Sequence, residues 1–406
     1  MPRMVQEQGA ARGPRPLQGL KVLDLARVLA GPYVGRMLAD LGADVVKIEP
    51  PEGDVTRKWG AVRHGLSGYF TQQNVGKRSV CIDLRQAGGA ALVRKLAMQA
   101  DVVVENFRPG VLEQYGLGYE ALRVDNPKLV MLSISGFGQH GPERERAAYA
   151  AVVHAETGLV HRQAAIDGTA PADPRMSIAD TNAGLHGLVG LLAALLLRAR
   201  TGEGQHVDIA MFDTMLATDD YANVALDGLQ EDDEVIVNDT WDVAGGPIVI
   251  AGGLRWTWKR LSETHGLKDG VPKDAPVADK VRARRAIVNA LFARFDDGEA
   301  LRAMLRKAGL PWGEVQPTST ALQSPTVRAR GSVAQIDDRG GGLRDVIQSP
   351  YRFSHADSGA HAGAPYRGEH NVQALTDWLG LSTSEIEALT QRGVLLRDAK
   401  APTGTS

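Results

Sequence analysis

From Lys21 onward, short apolar runs alternate with segments whose apolar residues recur at helical spacing. The run KVLDLA is rich in strand formers, and the apolar residues between Val34 and Leu41 recur with the period of a helix. Gly42 ends this helix, and ADVVKIEPP follows as a second strand that two prolines stop. A strand, a helix and a strand within about 30 residues predict a βαβ unit and therefore a parallel sheet.

The same alternation continues along the chain. Further strand and helix patterns are found in SVCIDL, GGAALVRKLAMQA, DVVVENF and KLVMLSISGFG. This succession predicts an α/β fold, a Rossmann-like large domain built on a parallel sheet. The longest apolar stretch, from Gly184 to Leu197, is too short to span a bilayer and predicts a buried core helix.

The pattern also suggests how the chain is divided. Residues 1–16 mix Pro, Gly, Arg and Gln without an apolar run and predict a disordered tail. The large domain is expected over residues 17–221. After residue 219 the sequence becomes acidic and less periodic, which places a smaller inserted α+β domain at 222–325. Strand signals return between SVAQI and PYRFS, and TSEIEALTQRGVL predicts a final helix, so residues 326–406 are expected to return to the large domain.

Composition narrows the functional classes. The 406 residues carry 46 Lys and Arg against 48 Asp and Glu, a formal net charge of −2, which argues against a nucleic-acid partner. The single cysteine, Cys81, excludes an internal disulfide and a Cys-rich zinc site. The amino-terminal segment lacks the apolar stretch of a signal peptide, so we expect a cytoplasmic protein with no membrane partner.

A dinucleotide site is one interpretation of the first βαβ unit. The turn contains Gly31 and Gly35, and Glu49 closes the second strand near the spacing of a ribose-binding acid. The turn is not G-x-G-x-x-G, however, and Pro32 removes a backbone N–H where a pyrophosphate would need one.

Several motifs in the same order are similar to those of the family III CoA-transferases, the group that contains formyl-CoA transferase and carnitine CoA-transferase. These motifs are GLKVLDLARVLAGPYVGRMLADLGADVVKIEPPEGD, NVGKRSVCIDL, DVVVENFRPGVLEQYGLGYEAL, NPKLVMLSISGFGQHGP, SIADTNAGLHGLVGLLAALLLRARTGEGQHVDIAMFDTML and PYRFS…APYRGEHN. The resemblance covers most of residues 18–220 and returns at 345–371. It implies an interlocked homodimer acting on an acyl-CoA and a carboxylic acid, with CoA as substrate and no tightly bound cofactor or metal.

Asp180 is the first candidate for catalysis. It follows the apolar stretch MSIA and precedes a long apolar helix, so a helix N-cap is the structural alternative. In the family that the chain resembles, the matching Asp is the catalytic nucleophile. The resemblance therefore implies a covalent aspartyl intermediate, in which CoA passes from a thioester donor to Asp180 and then to an acceptor acid.

The resemblance also suggests positions that grip CoA. The candidates are Val28, Leu29, Asn74, Lys77, Arg78, Asn106, Phe107, Arg108 and the glycine loop Gly136, Phe137 and Gly138. Basic residues at loop ends of a parallel sheet suit phosphates. The alternatives are a solvated pair for Lys77 and Arg78 and a plain turn for the glycine loop.

Two other functions stay open. The α-methylacyl-CoA racemases share this fold and move a proton with a His and an Asp. Asp180 occupies the Asp position, but the His position falls in Ala148–Ala150, and His154 and His161 lie several residues away. The other alternative is a catalytically silent homologue that binds acyl-CoA. Specificity for the acid is expected from the divergent region after residue 222.

Overall fold

The computed structural model describes residues 13–228 and 238–401. Most of the predicted disordered tail, and the acidic segment from 229 to 237, lie outside these residues. Arg15, near the end of the predicted tail, hydrogen-bonds to His361 Nδ1 at 2.9 Å and lies 3.5 Å from Asp357. The chain divides into two compact units, one made of the described parts of Met1–Asp220 and Arg328–Ser406 and the other of Tyr221–Val327.

The strands and helices that the apolar pattern predicts in the large unit are present, together with several short elements that it does not predict. Its strands are β1 Lys21–Asp24, β2 Asp44–Glu49, β3 Val62–Arg63, β4 Leu66–Ser67, β5 Arg78–Ile82, β6 Val102–Glu105, β7 Val130–Ser135 and β8 His206–Ala210. Its helices up to residue 220 are α1 Ala30–Asp40, α2 Gly68–Asn74, α3 Gly89–Gln99, α4 Tyr119–Asp125, α5 Ala150–Glu156, α6 Leu159–Asp167, α7 Ile178–Thr201 and α8 Met211–Thr218. Two 3₁₀ helices cover Val55–Lys58 and Glu113–Tyr115.

The smaller unit has its own antiparallel sheet and core. It contains α9 Ala222–Leu226, β9 Asn238–Trp241, β10 Ile248–Ala251, α10 Gly253–His265, α11 Val277–Phe292, α12 Gly298–Ala308, β11 Trp312–Glu314 and α13 Thr318–Ala321. Strand β10 pairs antiparallel with β9 and β11, and the Trp241 and Phe292 rings meet edge to face at 5.4 Å in the core.

The returning segment completes the large unit. It contains α14 Pro325–Arg330, which begins before the boundary, then β12 Val333–Asp337, β13 Leu343–Ile347, α15 Asn371–Leu379, α16 Thr383–Gln391 and β14 Leu395–Leu396. Two sequence expectations are corrected in this segment. PYRFS is not a strand, and the final helix ends at Gln391, because Gly393 turns the chain at a φ of +71° into β14.

The central sheet has the Rossmann strand order. Within the described residues it contains seven strands in the order β14-β5-β2-β1-β6-β7-β8, parallel except for the antiparallel edge strand β14. Consecutive residues of a strand point to opposite faces. Val22 accordingly lies in the core beneath α1 and α7, whereas Leu23 lies in the core beneath α3 and α15. Both faces are buried, which explains the nearly continuous apolar runs of the strands.

Helix α7 lies close to the sheet and to α1 because small residues recur along it. A Cβ at Gly184 would lie 3.1 Å from the Ala30 carbonyl oxygen, and one at Gly187 would lie 3.1 Å from Leu132 Cδ2. The helix has 24 residues rather than the apolar 14 seen in the sequence. Among the described residues it is the one helix long and apolar enough, by length and composition, to cross a membrane.

Candidate active site

The site lies where the direction of the strand crossovers reverses. Strands β1 and β6 are neighbours in the sheet, but the chain continues from β1 to β2 on one side and from β6 to β7 on the other. Ligands of such sheets bind at this point, outside the carboxyl ends of the strands. The turn 25–29 follows β1, and residues 106–108 follow β6. Two cavities open here, one of about 510 Å³ that contains Asp180 and a second of about 520 Å³. We name them the Asp180 cavity and the second cavity.

Asp180 lies in the first turn of α7 and is not its N-cap. The N-cap is Ser177, and the Asp180 side chain instead lines the Asp180 cavity. Burial raises the pKa of this carboxyl from 3.8 to about 6, while His154 and the backbone N–H groups of Ala30 and Ala150 act in the opposite direction. Ala30 begins α1 and Ala150 begins α5, so the amino ends of two further helices favour the charged carboxyl. The arrangement places an ionisable carboxylate, supplied with N–H donors, on the wall of a cavity.

His154 is buried beside Asp180, but both nitrogens of its ring are already used. Its Nε2 accepts the Ala179 N–H at 3.0 Å, and its Nδ1 lies 2.8 Å from the Asp173 carboxylate. An acid–base partner needs a nitrogen that can reach the substrate. The described contacts of His154 therefore do not favour the racemase alternative. His161 lies on α6 and does not line the Asp180 cavity.

Five of the eleven predicted CoA contacts line the Asp180 cavity. They are Val28, Asn106, Phe107, Arg108 and Gly136, together with Asp180 itself. Asn106 is also committed to the protein, because its side-chain oxygen accepts the Arg27 N–H at 2.9 Å and its amide donates to the Arg27 carbonyl at 2.8 Å. Phe107 lines both cavities.

Asn74 and Lys77 lie beneath the β1–α1 turn rather than on the cavity surface. The Lys77 ammonium is fully buried and donates to Asp24 at 2.7 Å, to the Pro32 carbonyl at 2.8 Å and to Asn74 Oδ1 at 3.0 Å. Its prediction as a phosphate contact is corrected by this placement, since its three donor bonds are made within the protein. The solvated alternative is also wrong for Lys77.

Arg78 lies at the opposite end of the sheet. It begins β5 and pairs with Asp44 at 2.5 Å and with Asp377 at 2.7 Å. A residue at the start of a parallel strand lies at the amino-terminal edge of the sheet, whereas the cavities open at the carboxyl edge. The predicted CoA contact at Arg78 is therefore corrected as well.

The remaining predicted contacts lie behind the cavity wall. Leu29 is buried and is the N-cap residue of α1. Phe137 packs against Phe212, with ring centroids 6.0 Å apart, and Gly138 turns the chain at a φ of +84°. Gly136 reaches the cavity, where a Cβ would lie 2.5 Å from Ala148 Cβ. Of the predicted glycine loop, one residue faces the site.

Residues at the ends of strands were missed by sequence reasoning. Asp83, Leu84 and Arg85 follow β5 and line the second cavity together with Lys58. Their position directly after a strand was the available signal, because ligands of parallel sheets bind outside the carboxyl ends of the strands. The basic residues predicted instead, Lys77 and Arg78, lie at the amino end of β5.

Four arginines surround the Asp180 cavity, namely Arg27, Arg108, Arg144 and Arg146. Arg144 pairs with Glu145 at 3.1 Å, and Arg146 pairs with Glu143 and Glu156. Within the described part of the chain, Arg27 and Arg108 form no ion pair, although the Arg27 guanidinium lies 5.4 Å from the centre of the Phe107 ring. The cavity is therefore suited to anionic ligands.

Ser135 adds an unused polar group to this cavity. It ends β7, is buried, and its hydroxyl has no hydrogen-bond partner among the described residues. Buried hydroxyl groups in proteins are nearly always hydrogen-bonded, so Ser135 is an exception at the edge of this cavity.

Neither a dinucleotide nor a metal is favoured by the described residues. Both oxygens of Glu49 are occupied, by Arg57 at 2.6 and 2.7 Å and by the Ser79 hydroxyl at 2.6 Å, so the acid is not free for a ribose. Over residues 13–228 and 238–401, no group of three His, Cys, Asp or Glu side chains is placed to hold a metal ion.

Comparison with known proteins gives one consistent result. The family model described as CoA-transferase family III matches residues 17–371. The chain is 35% identical over 384 residues to a succinate–glutarate CoA-transferase of Agrobacterium fabrum, covering 89% of this chain and 95% of the relative. It is 33% identical over 402 residues to a succinyl-CoA–D-citramalate CoA-transferase of Chloroflexus aurantiacus, covering 95% and 99%. A crystal structure of a CaiB/BaiF family protein from Brucella suis, 36% identical, superposes with a TM-score of 0.75 over 90% of this chain and 100% of that one.

Proposed function

This chain belongs to CoA-transferase family III, and from this membership we propose that it transfers CoA from a thioester donor to a carboxylic acid through a covalent intermediate on Asp180. The observation that carries the proposal is the place of Asp180. Asp180 lies on the wall of a cavity at the crossover-reversal point of the sheet, and the N–H groups of Ala30 and Ala150 favour the charged form of its carboxyl.

The first half of the reaction loads CoA onto the enzyme. An oxygen of the ionised Asp180 attacks the carbonyl carbon of the thioester, the carbon–sulfur bond breaks, and CoA leaves as a thiolate. This step forms a mixed anhydride between Asp180 and the donor acid. The thiolate then attacks the aspartyl carbonyl of that anhydride and releases the donor acid as a carboxylate. The product is an aspartyl-CoA thioester, and no net proton transfer is required.

The second half reverses these steps with a different acid. The acceptor carboxylate attacks the aspartyl thioester and displaces CoA thiolate, which gives a second mixed anhydride. The thiolate attacks the acceptor carbonyl, and Asp180 leaves as a carboxylate. Each attack on the aspartyl carbonyl develops negative charge on an oxygen, and the fixed N–H groups of Ala30 and Ala150 are available to stabilise it.

The two cavities suit the two ends of the CoA thioester. The second cavity takes the nucleotide, with Lys58 and Arg85 at hand for phosphates. The Asp180 cavity takes the thioester and the acyl group. Arg27 and Phe107 line both cavities and mark the border that the pantetheine arm crosses.

Dicarboxylic acids are the proposed substrate class. The two relatives named above are described as acting on succinate and glutarate, and on succinyl-CoA and D-citramalate. In this chain, Arg108 has no ionic partner among the described residues and lines the Asp180 cavity, where it could pair with the distal carboxylate of such an acid.

A homodimer is part of the proposal. Helix α7 exposes the apolar side chains of Leu185, Val189 and Leu196, with 66% of Val189 and 70% of Leu196 accessible. These residues are four and seven positions apart and so share one side of the helix. An apolar stripe of this kind fits a second copy of the chain, in line with the interlocked dimer that the resemblance implies.

The experiment that tests the mechanism traps the intermediate. Enzyme incubated with succinyl-CoA and hydroxylamine should yield an aspartyl hydroxamate at residue 180, detected by peptide mass spectrometry, because hydroxylamine cleaves both anhydride and thioester. Asp180→Asn should give no modification. Continued transfer of CoA to glutarate with an unmodified Asp180 would contradict the covalent mechanism. Exchange of an α-deuteron without any acceptor acid would instead indicate the racemase reaction.

A further inference from the structure

The turn between β1 and α1 contains a backbone conformation that its residue rarely adopts. Val28 has a φ of +70°, in the left-handed region, and is one of three described residues other than glycine with a positive φ. A β-branched side chain is strained there. Val28 also lines the Asp180 cavity. A strained residue at a site persists only where its surroundings hold it in place.

Ala26 and Arg27 are held by side chains from other parts of the fold. The Ala26 N–H donates to Asp24 at 2.9 Å, and its carbonyl accepts the Lys47 ammonium at 2.6 Å. Both backbone groups of Arg27 bond to the Asn106 side chain, as described above. These contacts fix the two residues before the strained position.

Val28 itself is held by Asp54. The Val28 N–H lies 3.2 and 3.4 Å from the two carboxylate oxygens. Asp54 is oriented in turn by the Thr56 N–H at 3.0 Å and hydroxyl at 2.8 Å, and it lies 3.2 Å from the Lys47 ammonium. Lys47 and Asp54 are both buried. Through this one ion pair, Lys47 binds the Ala26 carbonyl and Asp54 binds the Val28 N–H.

This turn ends two residues before the group that meets the nucleophile. Ala30 follows Val28 and Leu29, lines the same cavity as Asp180, and its N–H favours the charged form of that carboxyl. The position of that N–H therefore depends on the path of the chain through residues 26–28. A misplacement of about 1 Å at a reacting group can lower a rate about 100-fold.

We propose that Asp54, together with Lys47, is a positioning residue for the reaction at Asp180, because this ion pair holds the strained Val28 turn so that the Ala30 N–H meets the carboxylate. The inference rests on the proposed CoA transfer for its effect on rate. Its structural part, the clamping of the turn, stands independently of that activity.

Both charges of the pair persist at neutral pH. Burial raises the pKa of Asp54, but Lys47 and the Thr56 N–H and hydroxyl bring it below its ordinary value. Burial lowers the pKa of Lys47, but Asp24, Asp54 and Glu49 bring it above its ordinary value.

The test compares Asp54→Asn with Asp40→Asn in the full chain. Asp40 forms a buried ion pair with Arg36 at the other end of α1, so its variant controls for the loss of a buried charge. Hydrogen–deuterium exchange, read by mass spectrometry, should show faster exchange of the amides at residues 28–30 in Asp54→Asn only. The kcat for CoA transfer from succinyl-CoA to glutarate should fall about 10- to 100-fold, with a smaller change in KM.

Other results separate the two claims. Unchanged exchange at residues 28–30 in folded Asp54→Asn would overturn the clamp, whatever the activity. The natural chain could also show neither CoA transfer nor an aspartyl adduct while amide exchange is still faster in Asp54→Asn. That result would support the clamp and reject the proposed function. If Asp54→Asn and Asp40→Asn lost kcat equally, and only as far as the fraction of folded protein falls, the positioning role would be rejected.

A second pair of variants keeps the test valid if Asp54→Asn does not fold. Thr56→Val removes one of the bonds that orient Asp54 and nearly keeps the side-chain volume. It should raise exchange at residues 28–30 by a smaller factor. Val28→Gly relieves the strain, because glycine adopts a φ of +70° freely. In that background the loss of kcat caused by Thr56→Val should shrink. An equal loss in both backgrounds would contradict the coupling.

Discussion

At the scale of single residues, two opposing effects set the pKa of Asp180. Burial disfavours its charge, and a pKa of about 6 results even though N–H groups and His154 favour the carboxylate. A carboxylate that is poorly solvated is a better nucleophile than one in water, provided that it is still ionised at the working pH. The environment of Asp180 meets this condition near neutrality.

The pH dependence of the rate follows from this pKa. Only the ionised carboxylate can attack a thioester, so kcat/KM should fall as the pH drops below about 6 and level off above about 7. The measurement is a pH profile of CoA transfer from succinyl-CoA to glutarate, with protein stability checked at each pH. A profile that is flat down to about pH 4.5 would show that Asp180 does not limit the rate as an acid with this pKa.

Sequence reasoning identified the nucleophile candidate but misplaced several of its neighbours. Asp180 lies within a long motif, and the order of the motifs can be determined from the sequence alone. In the sequence, Lys77 and Arg108 are both basic residues next to a strand. In the structure, Lys77 is buried beneath a turn, whereas Arg108 lines the cavity. That difference depends on which end of a strand a residue occupies and on which acids approach it from elsewhere in the fold, and neither is encoded locally.

At the scale of elements, α7 and α1 must approach closely for Asp180 to meet the Ala30 N–H. Gly184 permits this approach, since a Cβ would lie 2.9 Å from Tyr33 Cδ1 and 3.1 Å from the Ala30 carbonyl oxygen. Gly184→Ala should therefore destabilise the protein by about 1–3 kcal/mol and lower kcat. Urea unfolding and steady-state kinetics measure the two effects.

Gly190→Ala on the same helix is the matched control. Its Cβ would meet only the end of the Val207 side chain, at 3.0 Å, and alanine favours a helix by up to about 1 kcal/mol over glycine. This variant should keep its stability and its kcat. Equal losses in the two variants would indicate that the Gly184 contact is not special.

The end of β6 carries an unpaired buried acid. Burial raises the pKa of Glu105 to about 7, although the Ser133 hydroxyl and the Phe107 N–H lower it. The folded pKa exceeds the unfolded value of about 4.3, so this group lowers stability as the pH rises through that window. Glu105→Gln should therefore be more stable than the natural chain at pH 8, by about 3 kcal/mol, with the gain vanishing near pH 4.

Glu49→Gln at the end of β2 should behave in the opposite way. Burial raises the pKa of Glu49, but Arg57, Lys47 and the Ser79 hydroxyl bring it below its ordinary value. This group therefore contributes stability above its unfolded pKa, which is lost as the pH falls. Urea unfolding at several pH values compares both variants. A stabilised Glu49→Gln at pH 8 would contradict this account.

The elements themselves were largely predictable. Periodicity located β1, α1, β2, β5, α3, β6, β7 and α7, because strands buried on both faces read as apolar runs and helices show a 3.6-residue repeat. The two-residue strand β14 could not be found this way, since its pairing with β5 comes from more than 300 residues away in sequence.

At the scale of the whole molecule, the strand order decides where the cavities open. The reversal between β1 and β6 gathers residues 25–29, 106–108 and 180 at one edge of the sheet. Parallel strands and right-handed crossovers are general rules, but the order in which strands pair is set by contacts distant in sequence. This is why the fold class could be predicted and the shape of the site could not.

The proposed dimer leads to a prediction about α7. A charge at the exposed Val189 should disfavour association, because burying it against a second copy of the chain would desolvate it. Light scattering of Val189→Glu should show monomers where the natural chain forms dimers, and Val124→Glu, an exposed position on α4, is the control. A natural chain that is monomeric, or that floats with liposomes, would reject the dimer in favour of a free or membrane-bound helix.

The position of β14 at the carboxyl end of the chain has a consequence for folding during translation. Leu375, Trp378 and Ile386 of α15 and α16 pack on one face of the sheet, and Leu395 of β14 extends that face at the edge. The β6 strand of the same sheet ends at Glu105. Helices α3 and α4 cover part of that face, but a ribosome must add about 290 residues after β6 before the cover is complete, which takes about 15–60 s at ordinary rates of translation. During this interval the nascent chain exposes apolar strands with an open edge. The protein should therefore depend on chaperones that bind nascent chains, and a stop codon shortly before residue 371 should yield insoluble product.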